Sequence, residues 1–410
     1  MVKKVVCFAL GGHIATQNTS FKTLAQELEP RGYELYGGVD GFKAFDSGDV
    51  YRLKSDYIPD NFAGFVSGAG RASLPDKEEP SYDERISQVV DFFKKGEFDV
   101  VVGSGGDDHG MQIAKLEKIL KENRGKIGRD VMAYVINKTM DNDLGGTKPY
   151  TDFTNGFHTA VSVGVESMKN HFAGAWTNNL PYLISPFGRD ANWVGLAMSY
   201  FGHADLFVHG ELPDGHSGHS IERIHDLLLD AQDKNEKKYG RRFAMAVVAE
   251  GARISGIDHA DRKLIDVHGH HKLNPEALVS SLKRELELKY GMKTQTAGVT
   301  YEMRNHPATN KDKMFAKKSA KVIANAILEG RSGVESCFKI GDGVIYYSDA
   351  PIEKVSEKRF ASYHPTQLMD YNTLRVTSEI GGYYDALFGK IESLRSWLPG
   401  RPKAVNVFGA

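Results

Sequence analysis

The chain has 410 residues, with 52 Lys and Arg against 53 Asp and Glu and a formal net charge of −1. So even a balance excludes a broad nucleic-acid or polyanion-binding surface, and any affinity for phosphate must be local. Cys7 and Cys337 both lie in or near apolar stretches, which fits a reducing, cytoplasmic compartment rather than a disulfide framework.

Two lysines precede the apolar run Val5–Leu10, which is too short for a signal segment and reads as a first strand ending at Gly11-Gly12. From Thr19 to about Arg31, Phe21, Leu24, Ala25 and Leu28 share one helical face. A short strand follows near Tyr33–Tyr36, then a loop reaching Gly68–Pro75 and a helix over Tyr82–Lys94. Phe98–Val102 is a buried strand, Met111–Glu122 a helix and Val131–Ile136 a third strand. Further on, the spacing predicts strands at Leu180–Ser185, Asp205–Val208 and Ala244–Ala249. Helices are expected over Trp193–Phe201 and Ile221–Lys238. Ile254–Leu273 is polar and histidine-rich, a loop or hairpin, and Lys311–Leu328 is an alanine-rich helix ended by Gly330. No apolar stretch approaches bilayer length, so no membrane partner is expected. Alternation of strand and helix implies a mostly parallel sheet covered on both faces, and the length implies two such domains or one large one.

In open parallel sheets, ligands sit past the carboxyl ends of strands. Gly11-Gly12, Gly105-Gly106-Asp107-Asp108, Lys138-Thr139-Met140-Asp141-Asn142-Asp143 and Phe187-Gly188-Arg189 all follow apolar runs. Glycines admit backbone N–H groups close to phosphate oxygens. One carboxylate can hold magnesium, and another can take the proton of an attacking hydroxyl. Taken alone, Asp-Asn-Asp is an ordinary helix cap or Asx-turn. Its place in an ordered series of turns makes it a phosphoryl-transfer candidate.

Those segments resemble the phosphofructokinase family. The likeness runs in order through Gly11-Gly12 to Asn18, Gly70-Arg71, the Gly-Gly-Asp turn, Thr139-x-Asp141-Asn142-Asp143 and Asp152-x-Thr154-x-Gly156-Phe157. It continues through Gly188-Arg189, Glu250-Gly251, Tyr301-x-x-Arg304 and Asp312. The resemblance implies two Rossmann-like three-layer α/β domains with the active cleft between them. The donor and magnesium domain would comprise 1–150 with about 305–360, and the acceptor domain 151–304 with about 361–410. It further implies Mg2+ as cofactor, pyrophosphate and a sugar phosphate as substrates, and a homodimer or homotetramer.

By the same resemblance, Asp141 is the general base and Thr139 positions the acceptor. Asp107 serves the metal, Asp143 the phosphoryl and substrate side, and Arg71 lies beside the transferred phosphoryl. Gly11, Gly12, Gly106, Asp108 and Lys138 bind the donor, while Phe187, Gly188, Arg189, Glu250, Tyr301 and Arg304 line the sugar. ATP-dependent relatives carry glycine where Asp108 stands and commonly where Lys138 stands, so this pair follows the pyrophosphate-dependent pattern. A physical reason agrees, since a carboxylate at Asp108 faces the place of a nucleotide α-phosphate. Like charges ~4 Å apart repel by about 4 kcal/mol at an effective dielectric of 20. Two departures concern the acceptor. Leu180 and Gln295 stand where the family places basic residues that clamp a sugar 6-phosphate, with Lys293 nearby.

Overall fold

The computed structural model describes residues 2–146, 150–189, 191–210, 218–258, 260–265, 271–358 and 368–389. In chain order the elements begin β1 (Lys3–Ala9), α1 (Thr16–Leu28), β2 (Tyr33–Gly38), α2 (Ala44–Ser47), β3 (Val50–Leu53), α3 (Tyr82–Gly96) and β4 (Val100–Gly105). They continue α4 (Asp107–Glu122), α5 (Arg124–Ile127), β5 (Met132–Asn137), α6 (Phe157–Asn178), β6 (Pro181–Pro186), α7 (Trp193–Phe201), β7 (Leu206–Val208), α8 (Ile221–Tyr239) and β8 (Ala244–Val248). Next come β9 (Ala260–Ile265), β10 (His271–Leu273), α9 (Pro275–Tyr290), β11 (Gln295–Val299), α10 (Tyr301–Asn305) and α11 (Asn310–Glu329). The hairpin β12 (Val334–Gly341) and β13 (Val344–Pro351) leads into α12 (Ile352–Val355), and a further helix spans Glu379–Phe388.

By their contacts the residues fall into two compact units. Unit 1 holds Met1–Ala160, Arg262–Lys272 and Tyr301–Tyr363; unit 2 holds Val161–Asp261, Leu273–Thr300 and His364–Ala410. The stretch after Tyr150 packs with unit 1 because its polar groups are satisfied there. Thr151 Oγ1 donates to Phe338 O, the Ile340 N–H donates to Asp152, and the Asn155 side chain bonds both Asn137 and Ser319.

Unit 1 is built on strands in the order β13-β12-β5-β4-β1-β2-β3. Neighbours from β12 to β2 pair in parallel, while β13 and β3 run antiparallel at the edges. Strand β1 shows why its sequence is apolar without alternation. Val6 and Phe8 enter a core with Phe42, Phe45, Phe92, Phe93 and Ile113, whereas Val5, Cys7 and Ala9 enter the opposite core with Phe21, Leu24, Leu28 and Ile323. Both faces are thus covered, as a parallel sheet requires. Helices α1 and α11 pack against each other on the second face.

Unit 2 has a smaller sheet, β11-β6-β8-β7, with every pair parallel. Its strands bury Leu183, Ile184, Phe207, Met245 and Val247, and Phe243 meets Phe172 and Trp176 edge-on or tilted.

Helix α4 begins at Asp107, four residues before the expected Met111. Gly106 supplies the extended N-cap, and Asp107 and Asp108 occupy the first turn, where the exposed N–H groups favour negative charge. In the histidine-rich stretch β9 and β10 pair as a two-stranded sheet; His268 and His270 lie outside the described residues. No described helix is long and apolar enough to cross a membrane.

Candidate active site

Strands β5, β4 and β1 are neighbours, and their carboxyl ends are aligned: Ala9 pairs with Ser104, and Gly105 with Asn137. Chain order reverses between β4 and β1, which is where open sheets leave room for ligands. The turns that follow are Gly11-Gly12, Gly106-Asp107-Asp108 and Lys138–Asp143. The structure therefore brings the expected donor residues to one edge of unit 1. The Lys138 N–H donates to Gly105 O at 2.9 Å, and Thr139 packs against Gly106, so the second and third turns are in contact.

Lys138 is buried. Its ammonium donates to Leu10 O at 3.0 Å and to Gly12 O at 2.6 Å, which ties the third turn to the first. Burial, then the positive charge of Arg304, lower its pKa to about 7; Asp141 opposes and Arg71 reinforces the shift. Arg304 itself lies against Gly12, where a side-chain Cβ would occupy the place of its guanidinium. A Cβ at this position would have to push aside the tip of that flexible side chain. Tyr301 and Arg304 both sit on α10, in unit 1, with the Gly11-Gly12, Gly106–Asp108 and Lys138–Asp143 turns. Beside them, His13 and Asn305 share a hydrogen bond of 2.7 Å. Arg71 follows Gly70, which bridges to Leu10, and Asp76 pairs with Lys115 at 2.6 Å.

The Thr139–Asp143 turn is held from behind. Thr154 Oγ1 donates to Thr139 O at 2.6 Å, and Thr139 bridges Gly156. The Asp312 carboxylate in turn accepts Gly156 N–H at 3.1 Å and Thr159 N–H at 2.7 Å. At its front, Asp141 N–H donates to Thr139 Oγ1 at 3.1 Å. Asn142 takes a left-handed conformation, with φ 57°, between the two acids.

Four carboxylates act on one another here. Burial first, then Asp108, raises the Asp107 pKa; Lys358 opposes the shift. Burial, then Asp107 and Asp141, raises that of Asp143 well above the ordinary range, again opposed by Lys358. Asp143 Oδ1 is buried with no hydrogen-bond partner. An orphaned carboxylate oxygen beside further acids is what a divalent cation would relieve, so these residues fit Mg2+. Among the described residues no three His, Cys, Asp or Glu side chains form a complete cage. Magnesium ordinarily takes one or two carboxylates and completes its shell with water and phosphate.

In unit 2, Phe187, Gly188 and Arg189 follow β6, and Glu250 follows the adjacent β8. One Glu250 oxygen accepts the N–H groups of Gly188 at 3.0 Å and Arg189 at 2.8 Å, and Gly251 N–H donates to Arg189 O at 3.0 Å. Glu250 thus shapes the Gly-Arg turn. Leu180 and Gln295 lie at the opposite, amino ends of β6 and β11, where Gln295 pairs with Tyr182. Sequence reasoning missed Lys358 altogether. It follows the Asp342-Gly343 hairpin and α12 in a stretch without a motif of its own.

The phosphofructokinase family matches residues 4–327. The chain is 25% identical over 330 residues to a pyrophosphate–fructose 6-phosphate 1-phosphotransferase of Dictyoglomus thermophilum, covering 79% of this chain and 86% of that one. It is 24% identical to an ATP-dependent 6-phosphofructokinase of Halalkalibacterium halodurans, covering 81% and 88%. The crystal structure of a pyrophosphate-dependent phosphofructokinase from Marinobacter aquaeolei superposes with a TM-score of 0.73 at 16% identity, over 98% of this chain and 93% of that one. The fold is therefore of the Rossmann-like phosphofructokinase type, and the chain belongs to the phosphofructokinase family.

Proposed function

We propose that this protein transfers a phosphoryl group from pyrophosphate to the 1-hydroxyl of fructose 6-phosphate, with Mg2+, as a cytoplasmic homo-oligomeric enzyme of glycolysis. The observation that carries the donor is the pair Asp108 and Lys138. Asp108 stands in the first turn of α4, beside Asp107, and Lys138 is locked by Leu10 and Gly12 at the head of the neighbouring turn. A carboxylate at that turn opposes a nucleotide α-phosphate, while a buried ammonium favours a small donor of high charge density.

In this reading Asp141 accepts the proton of the acceptor hydroxyl as its oxygen bonds to phosphorus. The bridging P–O bond breaks, and orthophosphate leaves. Bound Mg2+ would be held by Asp107, with Asp143 beside it, and supplies charge neutralisation for the phosphoryl oxygens. Thr139 orients the hydroxyl, while Arg71, Lys138 and Arg304 stabilise charge that spreads over the transferred group. Phe187, Gly188, Arg189 and Glu250 are the acceptor-binding residues of unit 2, and Tyr301 is that of unit 1.

Leu180 and Gln295 favour a second acceptor reading, a sugar, polyol or nucleoside without a 6-phosphate. The test crosses pyrophosphate and ATP with a dozen phosphorylated and unphosphorylated acceptors. Turnover of fructose 6-phosphate with pyrophosphate is expected. ATP-only turnover overturns the donor, and turnover confined to unphosphorylated acceptors replaces the sugar phosphate.

A further inference from the structure

We propose that Lys358 is a phosphate-binding residue for the donor, delivered by a strap that lies outside the family-matched span 4–327. The proposal rests on the phosphoryl-transfer reading above and adds a residue to it.

The strap is residues 355–358, and its course is fixed at both ends. Helix α12 packs on α4, and at Gly110 a Cβ would collide with the Ser356 hydroxyl, so the strap crosses α4 at bare backbone. Ser356 is held in place by its Oγ donating to the buried Glu335 carboxylate at 2.8 Å. Gly110 is three residues from Asp107, on the same side of the helix. Two residues beyond Ser356, Lys358 forms an antiparallel bridge with Leu144, the neighbour of Asp143. Gly145 N–H donates to Val355 O at 2.8 Å and Glu357 O at 3.0 Å, and Gly146 N–H donates to Glu357 O at 2.7 Å. The strap therefore runs from the Asp107 side of α4 to the Asp143 turn. Lys358 stands at its end, half-buried, with its charge acting on both acids.

Charge balance says what such a lysine is for. Asp107, Asp108, Asp141 and Asp143 crowd the place where a polyanion must enter. Arg71 and Arg304 both act on Lys138, whose ammonium donates to Gly12 O, and Arg304 lies against Gly12. At the Asp107–Asp143 side, one divalent cation offsets only part of the negative charge of the carboxylates and a diphosphate. Lys358 supplies the missing positive charge there, so that the donor is gripped from two directions.

The experiment is calorimetric titration of pyrophosphate in the presence of Mg2+ into the full chain, its Lys358→Met variant, which keeps the side-chain stem, and Lys358→Arg. Steady-state KM values for donor and acceptor are measured alongside. Lys358→Met should weaken pyrophosphate about tenfold with acceptor KM within about twofold, and Lys358→Arg should recover most of the loss. Unchanged pyrophosphate affinity, or a tightening of Mg2+ alone with none lost for the donor, makes Lys358 a mere counter-ion and overturns the proposal. A measurement independent of the variants is acylation of Lys358 in the wild-type chain. Mg2+ with pyrophosphate should slow it several-fold, and no protection overturns the proposal. If the wild-type chain binds ATP in place of pyrophosphate, the donor reading fails by itself. The same comparison with ATP then decides Lys358. If it binds neither, both fall.

Discussion

Glu250 in unit 2 and Asp143 in unit 1 are both buried acids close to strand ends, yet their surroundings are opposite. Glu250 accepts two backbone N–H groups through one oxygen, and those bonds draw the Gly188-Arg189 turn into shape. Asp143 has an oxygen without a partner and two further carboxylates whose charge bears on it. An acid satisfied by the protein contributes to the fold; an acid left in repulsion weakens it until a ligand arrives. The contrast separates a turn that the chain completes alone from one whose buried acid the chain leaves unsatisfied.

The largest expected effect lies at the second kind of site. Asp141→Ala should reduce turnover by ~10² to 10⁴ if its carboxylate is the base, with donor affinity little changed. Single-turnover rates with saturating donor check this. A loss confined to KM would place Asp141 in binding rather than in proton transfer.

Lys138 sharpens the comparison through pH. Its charged form dominates below about 7, so pyrophosphate affinity should fall as pH rises above that value, by up to tenfold per pH unit. Lys138→Met should remove that dependence, which separates the lysine from the donor's own ionisation. The stability of the unliganded protein should move the other way. Between about 7 and 10.5 the unfolded chain binds the lysine proton more readily than the folded one, so this group's contribution to stability rises with pH across that window. Affinity titrations and denaturant melts over the same pH range read both effects.

Replacing each acid by its amide tests the contrast directly. Asp143→Asn removes a repelled charge and should raise the melting temperature without Mg2+ by a few degrees, while reducing turnover. Glu250→Gln retains an acceptor oxygen and should cost little stability. Glu250→Ala, which leaves two backbone donors unpaired, should cost about 1–3 kcal/mol for each that stays buried. If Asp143→Asn and Glu250→Ala shift the melting temperature in the same direction, the distinction between the two sites is wrong.

How much of this was legible depends on where each signal resides. Strands β1, β4 and β5 are apolar runs closed by Gly or by charged turns, so the edge at which these turns meet could be placed from sequence, and α11 carries a clear alanine and isoleucine stripe. Helix α6 was missed because Phe157, Ala160, Val161, Val165 and Met168 are interleaved with His158, Ser162, Gly164 and Lys169, which blurs its buried face. The β12–β13 hairpin was announced by Asp342-Gly343, a two-residue turn with φ of 51° and 73°, and this signal went unused. Arg304 against Gly12 and Lys358 beside Asp107 depend on chain returning from far along the sequence. Local pattern holds no trace of such contacts.

The smallest and most discriminating effect concerns Asp108. Its carboxylate raises the pKa of Asp107, so it lies close enough to oppose another anion at the same turn. Asp108→Gly removes that charge and opens space, at a helix-propensity cost of less than about 1 kcal/mol because the residue lies in the first turn. The ratio of ATP to pyrophosphate turnover should rise several-fold, mostly through a lower KM for ATP, with acceptor KM unchanged. Lys138 still favours the small donor in this variant, so a complete switch is not expected; the double variant Asp108→Gly/Lys138→Gly should move the ratio further. An unaltered ratio in both would mean that neither the carboxylate nor the ammonium selects the donor, and that selection resides in the adenosine contacts instead.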